Sequence, residues 1–418
     1  MRAQHTAHPL SAFPVYSCAF LADDQFVAGG GGGASRSGIK NKLRLFRVSD
    51  DRQLSVLSEL ELEKDEDAPM SMAAHIESKT LVCGINSAAA KLEKGENENC
   101  RKFEVGGDEH NRLRQLATRG TLSSGNAEDY QRVTMLSLDA RYLAVAGEHD
   151  LSLLAYDSLS PIAQPIHVSK GEIYDATFSS SHLILATSLN LLVYALPVSP
   201  AAESEKSPKP KKKGKQKSGG QASRSNSSLP ELKLIKTIEL PPIPGVPSGS
   251  TMTFRAARLH PSQQSTMYTV VNVTLPRAPK QKTAKKQAYV LRWNITSSGQ
   301  HDAFDAHIET TRKTRDGNLT CFDVSPDGKM LAFGASDYSL GVLDAVTLAP
   351  LISILKAHEF PVTTLRFNPT SRLLVSGGVD SSLRVVTIPE KLGGQSWTII
   401  ILIVLALIAA LIAAMMQK

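Results

Sequence analysis

The sequence predicts an all-β fold of repeated four-stranded units, and three observations carry that expectation. The segments FDVSPDGKMLAFGASDYSLGVLD (322–344) and LRFNPTSRLLVSGGVDSSLRVV (365–386) match piece by piece. Pro326 to Pro369 and Asp337 to Asp380 are both 43 residues apart, the period of a WD-type repeat. Strands rich in Val, Leu, Ile and Phe recur at even intervals between turn residues. This register favours radial repetition over a β-sandwich or a mixed fold.

Taken in order, the first unit is AFLADDQFVAGG (19–30), continued by KLRLFRV (42–48). A degenerate unit surrounds TLVCGINS (80–87), and LSLDARYLAVAGEHDLSLLAYD (136–157) repeats the full strand order. ATFSSSHLILATSLNLLVYAL (176–196) is a shorter copy. The fifth is split into MYTVVNVT (267–274) and AYVLRWNI (288–295), where Trp293 and Asn294 replace a Trp-Asp pair. The matched pair completes the set, with Ala357 and His358 where such repeats carry Gly-His. Seven units predict a seven-bladed β-propeller of WD-type repeats over residues 1–395, followed by one C-terminal transmembrane helix.

Charge is distributed unevenly. The formal net charge is +7, yet residues 203–224 carry +6 and residues 277–286 carry +5, leaving a body of about −4. Residues 200–229, rich in Lys, Ser, Gly and Pro, have too few large apolar side chains to pack and read as a disordered insertion. Residues 276–287 read as a basic loop. The lysines at 209–217 could also signal nuclear import or DNA binding, a reading that a membrane anchor opposes, so no nucleic-acid partner is expected. Near an anionic leaflet the insertion would add weak attraction.

The anchor is WTIIILIVLALIAALIAAMM, Trp397 to Met416, in which Thr398 is the clearly polar residue. At ~1.5 Å per residue it spans roughly 30 Å, a bilayer's hydrocarbon thickness. Trp397 suits the interface. No apolar run of signal-peptide length opens the chain, which argues against a lipid-anchor signal and for a tail anchor with a cytosolic propeller. The sequons at Asn226, Asn272, Asn294 and Asn318 would then go unused. Cys18, Cys83, Cys100 and Cys321 form no CxxC pair and suit free thiols in a reducing compartment.

The sequence also carries an insertion, GGGGGASRSGIKNKL (29–43). Twelve residues separate Gly30 from Leu43, against five between Gly334 and Leu340 and four between Gly378 and Leu383. The turn joins the second and third strands of the first blade, on a rim where propellers bind partners. It is not a phosphate-binding P-loop, because Ile39 follows Gly38 where Lys is required and no helix follows. Ala34 stands where a dinucleotide fingerprint needs its third glycine. A flexible insertion without function is the bland reading. The composition also permits backbone carbonyls to turn inward on a hard cation, with Asn41 offering both a donor and an acceptor at the far end.

FVAGGGGGASRSGIKNKLRLF, with DAPMSMAA and VCGINS in 67–87, resembles the membrane-anchored exchange factors for the small GTPase that starts the COPII coat, a family whose animal relative is the prolactin regulatory element-binding protein. The resemblance implies a loop that binds potassium through Gly30, Gly31, Gly32, Gly33, Ala34, Ser35, Ser37 and Gly38. It implies that Asn41 is critical for nucleotide release, with Ile39, Lys40, Asn41 and Pro69 on the GTPase. It further implies guanine nucleotide exchange at the endoplasmic reticulum membrane, with passage to the Golgi left open. Only Gln417 and Lys418 follow the span, a departure from longer members. The residues themselves hold no G-x-S-x-G, no H-E-x-x-H and no Cys/His cluster, so exchange without bond chemistry is expected. The alternative is a tail-anchored scaffold or tether, for which the insertion at 29–41 has no use.

Overall fold

The computed structural model describes residues 3–34, 37–106, 112–122, 126, 128–197, 229–279, 281–296 and 303–390. Seven four-stranded antiparallel sheets make the blades. They cover residues 15–61, 71–119, 133–167, 173–239, 251–316 and 319–354, and a seventh is built from 362–387 plus His5–Pro9. The first strand of each blade touches the first strands of its two neighbours, closing a ring. All seven predicted blades are present.

Burial explains the composition of each strand position. Second strands are sealed on both faces by adjacent blades, so Thr80–Gly84, His182–Thr187 and Met330–Ala335 are buried at every residue. Fourth strands lie on the perimeter and alternate, as in Leu54–Glu61 and Asp305–Asp316. The apolar clusters accordingly lie between blades: Val27, Leu43 and Leu45 of blade 1 pack with Leu81, Cys83 and Phe103 of blade 2.

The ring closes by a strand that the repeat pattern does not show. His5–Pro9 pairs with Ser382–Thr387, from His5 opposite Val386 to Pro9 opposite Ser382, and so completes blade 7. Blade 7 also holds a buried polar lock. Its buried histidine is His358, whose Nε2 lies 2.8 Å from Ser376 Oγ and whose Nδ1 lies 3.1 Å from Asp380 Oδ2. In blade 5 Trp293 donates from Nε1 to Thr269 Oγ1 at 2.9 Å, tying third strand to second.

The strand order separates two faces. Turns between second and third strands, and the crossovers between blades, lie on one face; turns between first and second and between third and fourth strands lie on the other. The insertion after Gly30 is on the first face. So is the basic loop of blade 5, which runs 275–285 and so ends two residues before the expected 287, because the strand resumes at Lys286. The insertion at 200–229 joins third to fourth strand of blade 4 and falls almost wholly outside the described residues, as does the span 397–416. Among the described residues no helix is long and apolar enough to cross a membrane.

Burial lowers the His358 pKa from 6.5, with Asp380 opposing the shift. The unfolded chain therefore takes up the proton more readily, and this site's stability is full above about pH 6.5 and declines below it. His358→Ala should cost about 2–3 kcal/mol at neutral pH, from lost buried hydrogen bonds. Because Gln does not titrate, the difference in urea midpoint between wild type and His358→Gln should narrow from about pH 7.5 to about pH 5.5.

Candidate functional site

The glycine loop spans the gap between strands Gln25–Gly30 and Lys42–Val48 of blade 1. Two of its glycines take backbone conformations that side-chain-bearing residues rarely adopt. Gly31 has φ +140° and a Cβ there would lie 2.3 Å from Asn41 Oδ1; Gly33 has φ +69°. The loop enters under a fixed hydrogen bond, Gly31 N–H to Pro14 carbonyl at 2.9 Å.

Asn41 then ties its two ends together. Its Oδ1 accepts from Gly33 N–H at 2.9 Å, and its Nδ2 donates to the Gly33 carbonyl at 3.0 Å and the Glu66 carbonyl at 2.6 Å. The residue is 9% exposed. Glu66, itself buried, pairs through Oε1 with Arg101 of blade 2 at 2.7 Å, and its Oε2 accepts from Glu63 N–H at 3.0 Å. The clamp on the loop is thus anchored in the next blade.

Pro69 belongs to the same support. It is buried, its carbonyl accepts from Ser17 Oγ at 2.6 Å, and its ring closes on Gly29, where a Cβ would lie 2.6 Å from Pro69 Cβ. Asp67, between Glu66 and Pro69, turns its carboxylate toward the loop and accepts from the Ala34 and Ala68 amides. Burial raises its pKa above the usual carboxylate value, those amides oppose the rise, and Glu128 adds to it. Among the described residues Asp67 forms no ion pair.

The structure therefore divides the expected site residues into two groups. Asn41 and Pro69 are internal supports. Ala34, Ser37, Gly38 and Lys40 are exposed and Ile39 is half-buried, while Gly30 and Gly31 are buried and Gly32 and Gly33 half-buried. Ser35 lies outside the described residues. Lys40 pairs with Glu61 at 2.6 Å, a solvated contact of small energy. A methyl group on Gly31 would meet Asn41 Oδ1, Asn41 Cα and the Lys40 carbonyl, and one on Gly32 would meet Ser37 Oγ, the Ile39 carbonyl and Ile39 Cβ, so the turn closes too tightly there for a larger residue.

A second layer of support is absent from the sequence reading. Asp67 N–H donates to the Asn86 carbonyl at 3.1 Å. Asn86 and Asn97 bond side chain to side chain at 3.0 Å, and Asn99 Nδ2 donates to Gln131 Oε1 at 2.8 Å. The asparagines lie in the second blade's own second-to-third-strand turn, and Gln131 reaches them from the crossover into the third blade. The run ENENC at 96–100, polar between two strands, was the available signal.

Fold and site together define a WD-type seven-bladed propeller with a buttressed glycine loop. The WD domain, G-beta repeat family matches residues 349–386, the part that holds the His358–Asp380 lock. The chain is similar to the guanine nucleotide-exchange factor SEC12 of Candida glabrata, 32% identical over 146 residues, covering 34% of this chain and 31% of that protein. It is also similar to SED4 of the same organism, 21% identical over 394 residues, covering 92% of this chain and 32% of that one. A third relative is SEC12-like protein 2 of Arabidopsis thaliana, 35% identical over 81 residues, covering 19% and 21%. The resemblance drawn from residues 26–46 and 67–87 is thus matched by SEC12-type relatives, although the chain spans only a fifth to a third of their lengths. The solved Raptor of Chaetomium thermophilum shares the fold alone, with TM-score 0.58 and 8% identity over 93% of this chain and 29% of that one.

Asn41→Ala should raise amide hydrogen exchange in 31–41 by about tenfold or more, since it removes three hydrogen bonds of roughly 1 kcal/mol each. Asn41→Asp should fare no better, because a carboxylate cannot donate to the Gly33 and Glu66 carbonyls. Glu66→Ala leaves Arg101 buried without its carboxylate and should cost about 3–5 kcal/mol in urea unfolding.

Proposed function

We propose that this chain is a guanine nucleotide-exchange factor for the small GTPase that starts the COPII coat, acting from the endoplasmic reticulum membrane. The observation that carries the reading is the glycine loop, an insertion in blade 1 held rigid by Asn41, Glu66 and Arg101. A scaffold has no need of such a device. The names of the SEC12-type relatives support the same reading.

Exchange of this kind is linkage between two ligands of the GTPase. A partner that binds the nucleotide-free state more tightly must weaken nucleotide affinity by the same factor. The loop does this by occupying space, with no bond made or broken. Its exposed face presents Ala34, Ser37, Gly38, half-buried Ile39 and the Lys40 ammonium. Asn41 and Pro69 act from beneath as positioning residues, holding that face in one shape.

The potassium ion that the resemblance implies would be held by carbonyls of the glycine loop, with the Asp67 carboxylate turned toward the same loop. Such an ion supplies electrostatic cross-linking of carbonyls that glycine leaves free to move. The apolar run 397–416 anchors the propeller to the bilayer on which the GTPase is activated.

The test is GDP release from the purified COPII small GTPase, followed by fluorescence, with residues 1–390. Wild type should accelerate release by at least about tenfold, within the usual range of coupling between sites. Asn41→Ala should abolish the acceleration, Lys40→Ala should reduce it only about twofold to threefold, and potassium should exceed sodium. A folded wild-type fragment that leaves release unchanged overturns the exchange reading in favour of a scaffold.

A further inference from the structure

The two sequence features expected to meet a membrane both join the fold on the same face, and it is the face opposite the glycine loop. In blade 7 the third strand, Ser382–Thr387, runs away from the face of the 379–381 turn. The chain beyond it is fixed at the far rim, where Ile388 N–H donates to the Arg372 carbonyl at 2.8 Å. Arg372 lies in the turn between first and second strands. In blade 4 the third strand, Asn190–Ala195, runs in the same direction and the fourth starts again from that rim at Leu234. Pro197, at the edge of the lysine-rich stretch, is held there by Tyr142 Oη, which donates to its carbonyl at 3.2 Å.

Distance makes this placement restrictive. Seven Cα-to-Cα steps lead from Glu390 to Trp397, and fully extended they reach at most about 25 Å. A six-residue strand is itself about 20 Å tall. The height of one blade takes up most of the tether, and the remainder does not pass the rim loops of the other face. With the apolar run in the bilayer, the glycine-loop face cannot be turned onto the membrane.

We infer that the face formed by the first-to-second and third-to-fourth strand turns is apposed to the bilayer surface, and that the glycine loop is presented on the side away from it. This rests on the reading of 397–416 as a membrane span. Exposed apolar side chains do not distinguish the two faces, since Ile76, Leu138 and Val346 lie on this one and Leu189, Leu355 and Phe360 on the other. The described turns of the apposed face bear both signs of charge, among them Asp139 with Arg141 and Asp327 with Lys329. The net positive charge comes from the sequence of residues 203–224, at +6, and such a segment is drawn to anionic headgroups.

The experiment uses the full chain in vesicles of phosphatidylcholine and phosphatidylserine doped with a headgroup-labelled quenching lipid. Single cysteines for a fluorophore are placed at Leu138→Cys and Val346→Cys on one face, and at Ser37→Cys and Leu189→Cys on the other. Burial slows labelling of the native thiols by raising their pKa, Cys18 to about 11, Cys100 and Cys321 to about 12 and Cys83 well above the usual thiol value, and the half-buried Cys321 is replaced (Cys321→Ser) in every variant. Quenching at positions 138 and 346 should be severalfold stronger than at 37 and 189. Vesicle-bound protein with equal or reversed quenching overturns the orientation and leaves the anchor standing. Protein that does not float with the vesicles overturns the anchor, and the orientation with it.

Discussion

The Asn41 side-chain amide spends both its ends on the glycine loop: it accepts from the Gly33 amide, and it donates to the carbonyls of Gly33 and Glu66. Everything particular to this site depends on that amide. Ordering a glycine costs more backbone entropy than ordering any other residue, and five stand in a row at the start of this turn. Three hydrogen bonds within one side chain's reach, roughly 1 kcal/mol each, do not balance the ordering of a loop this long at roughly 1–2 kcal/mol per residue. The clamp therefore has to be backed by something already ordered. That is Glu66, fixed by the buried Arg101 of blade 2, with the Asn86–Asn97 amides behind Asp67.

The ring is what makes such backing available. Each blade is held by its neighbours, and the last is completed by the chain's own beginning, His5–Pro9. Cys18 of blade 1 lies 3.4 Å from Thr364 of blade 7, and Thr363 Oγ1 donates to the Val15 carbonyl, so the closure seam runs directly beside the blade that bears the loop. The His358–Ser376–Asp380 lock stiffens the other side of that seam. Support for the loop thus comes from one neighbour through Glu66 and Pro69, and support for its blade comes from the other.

Much of this was legible in the residues. The 43-residue period between Asp337 and Asp380 predicts the blades, and the excess length between Gly30 and Leu43 marks the loop. The closing strand was not, because HTAHP is short, half polar and remote in sequence from its partner Ser382–Thr387. Nor was the direction in which Asn41 points. Asparagine at a loop end reads equally well as a solvent-facing contact or an internal tie, and only the nearness of Glu66, 25 residues on, decides between them. The resemblance places Asn41 and Pro69 with the partner; in the structure both are buried, Asn41 tying the loop and Pro69 packing on Gly29. Glu66 and Arg101 carry no local signal at all, since a buried ion pair between blades looks like two surface charges in sequence.

A run of glycine is by itself poor material for a fixed contact surface. A floppy loop adapts to its partner, and whatever it gains from contact is offset by its own ordering. For one protein to shift another between states, it must bind those states with different free energies, and a loop that re-forms to suit both loses the difference. Small residues let carbonyls converge where a methyl group would block them, as around Gly31 and Gly32. A tie at the base then removes the freedom that glycine brought. What remains, among the described residues, is a turn whose base at Gly31, Gly33 and Asn41 is tied to Pro14 and to Glu66 and through it to blade 2. Glycine lets the backbone close at this base and Asn41 holds it closed, and neither achieves the tie without the other.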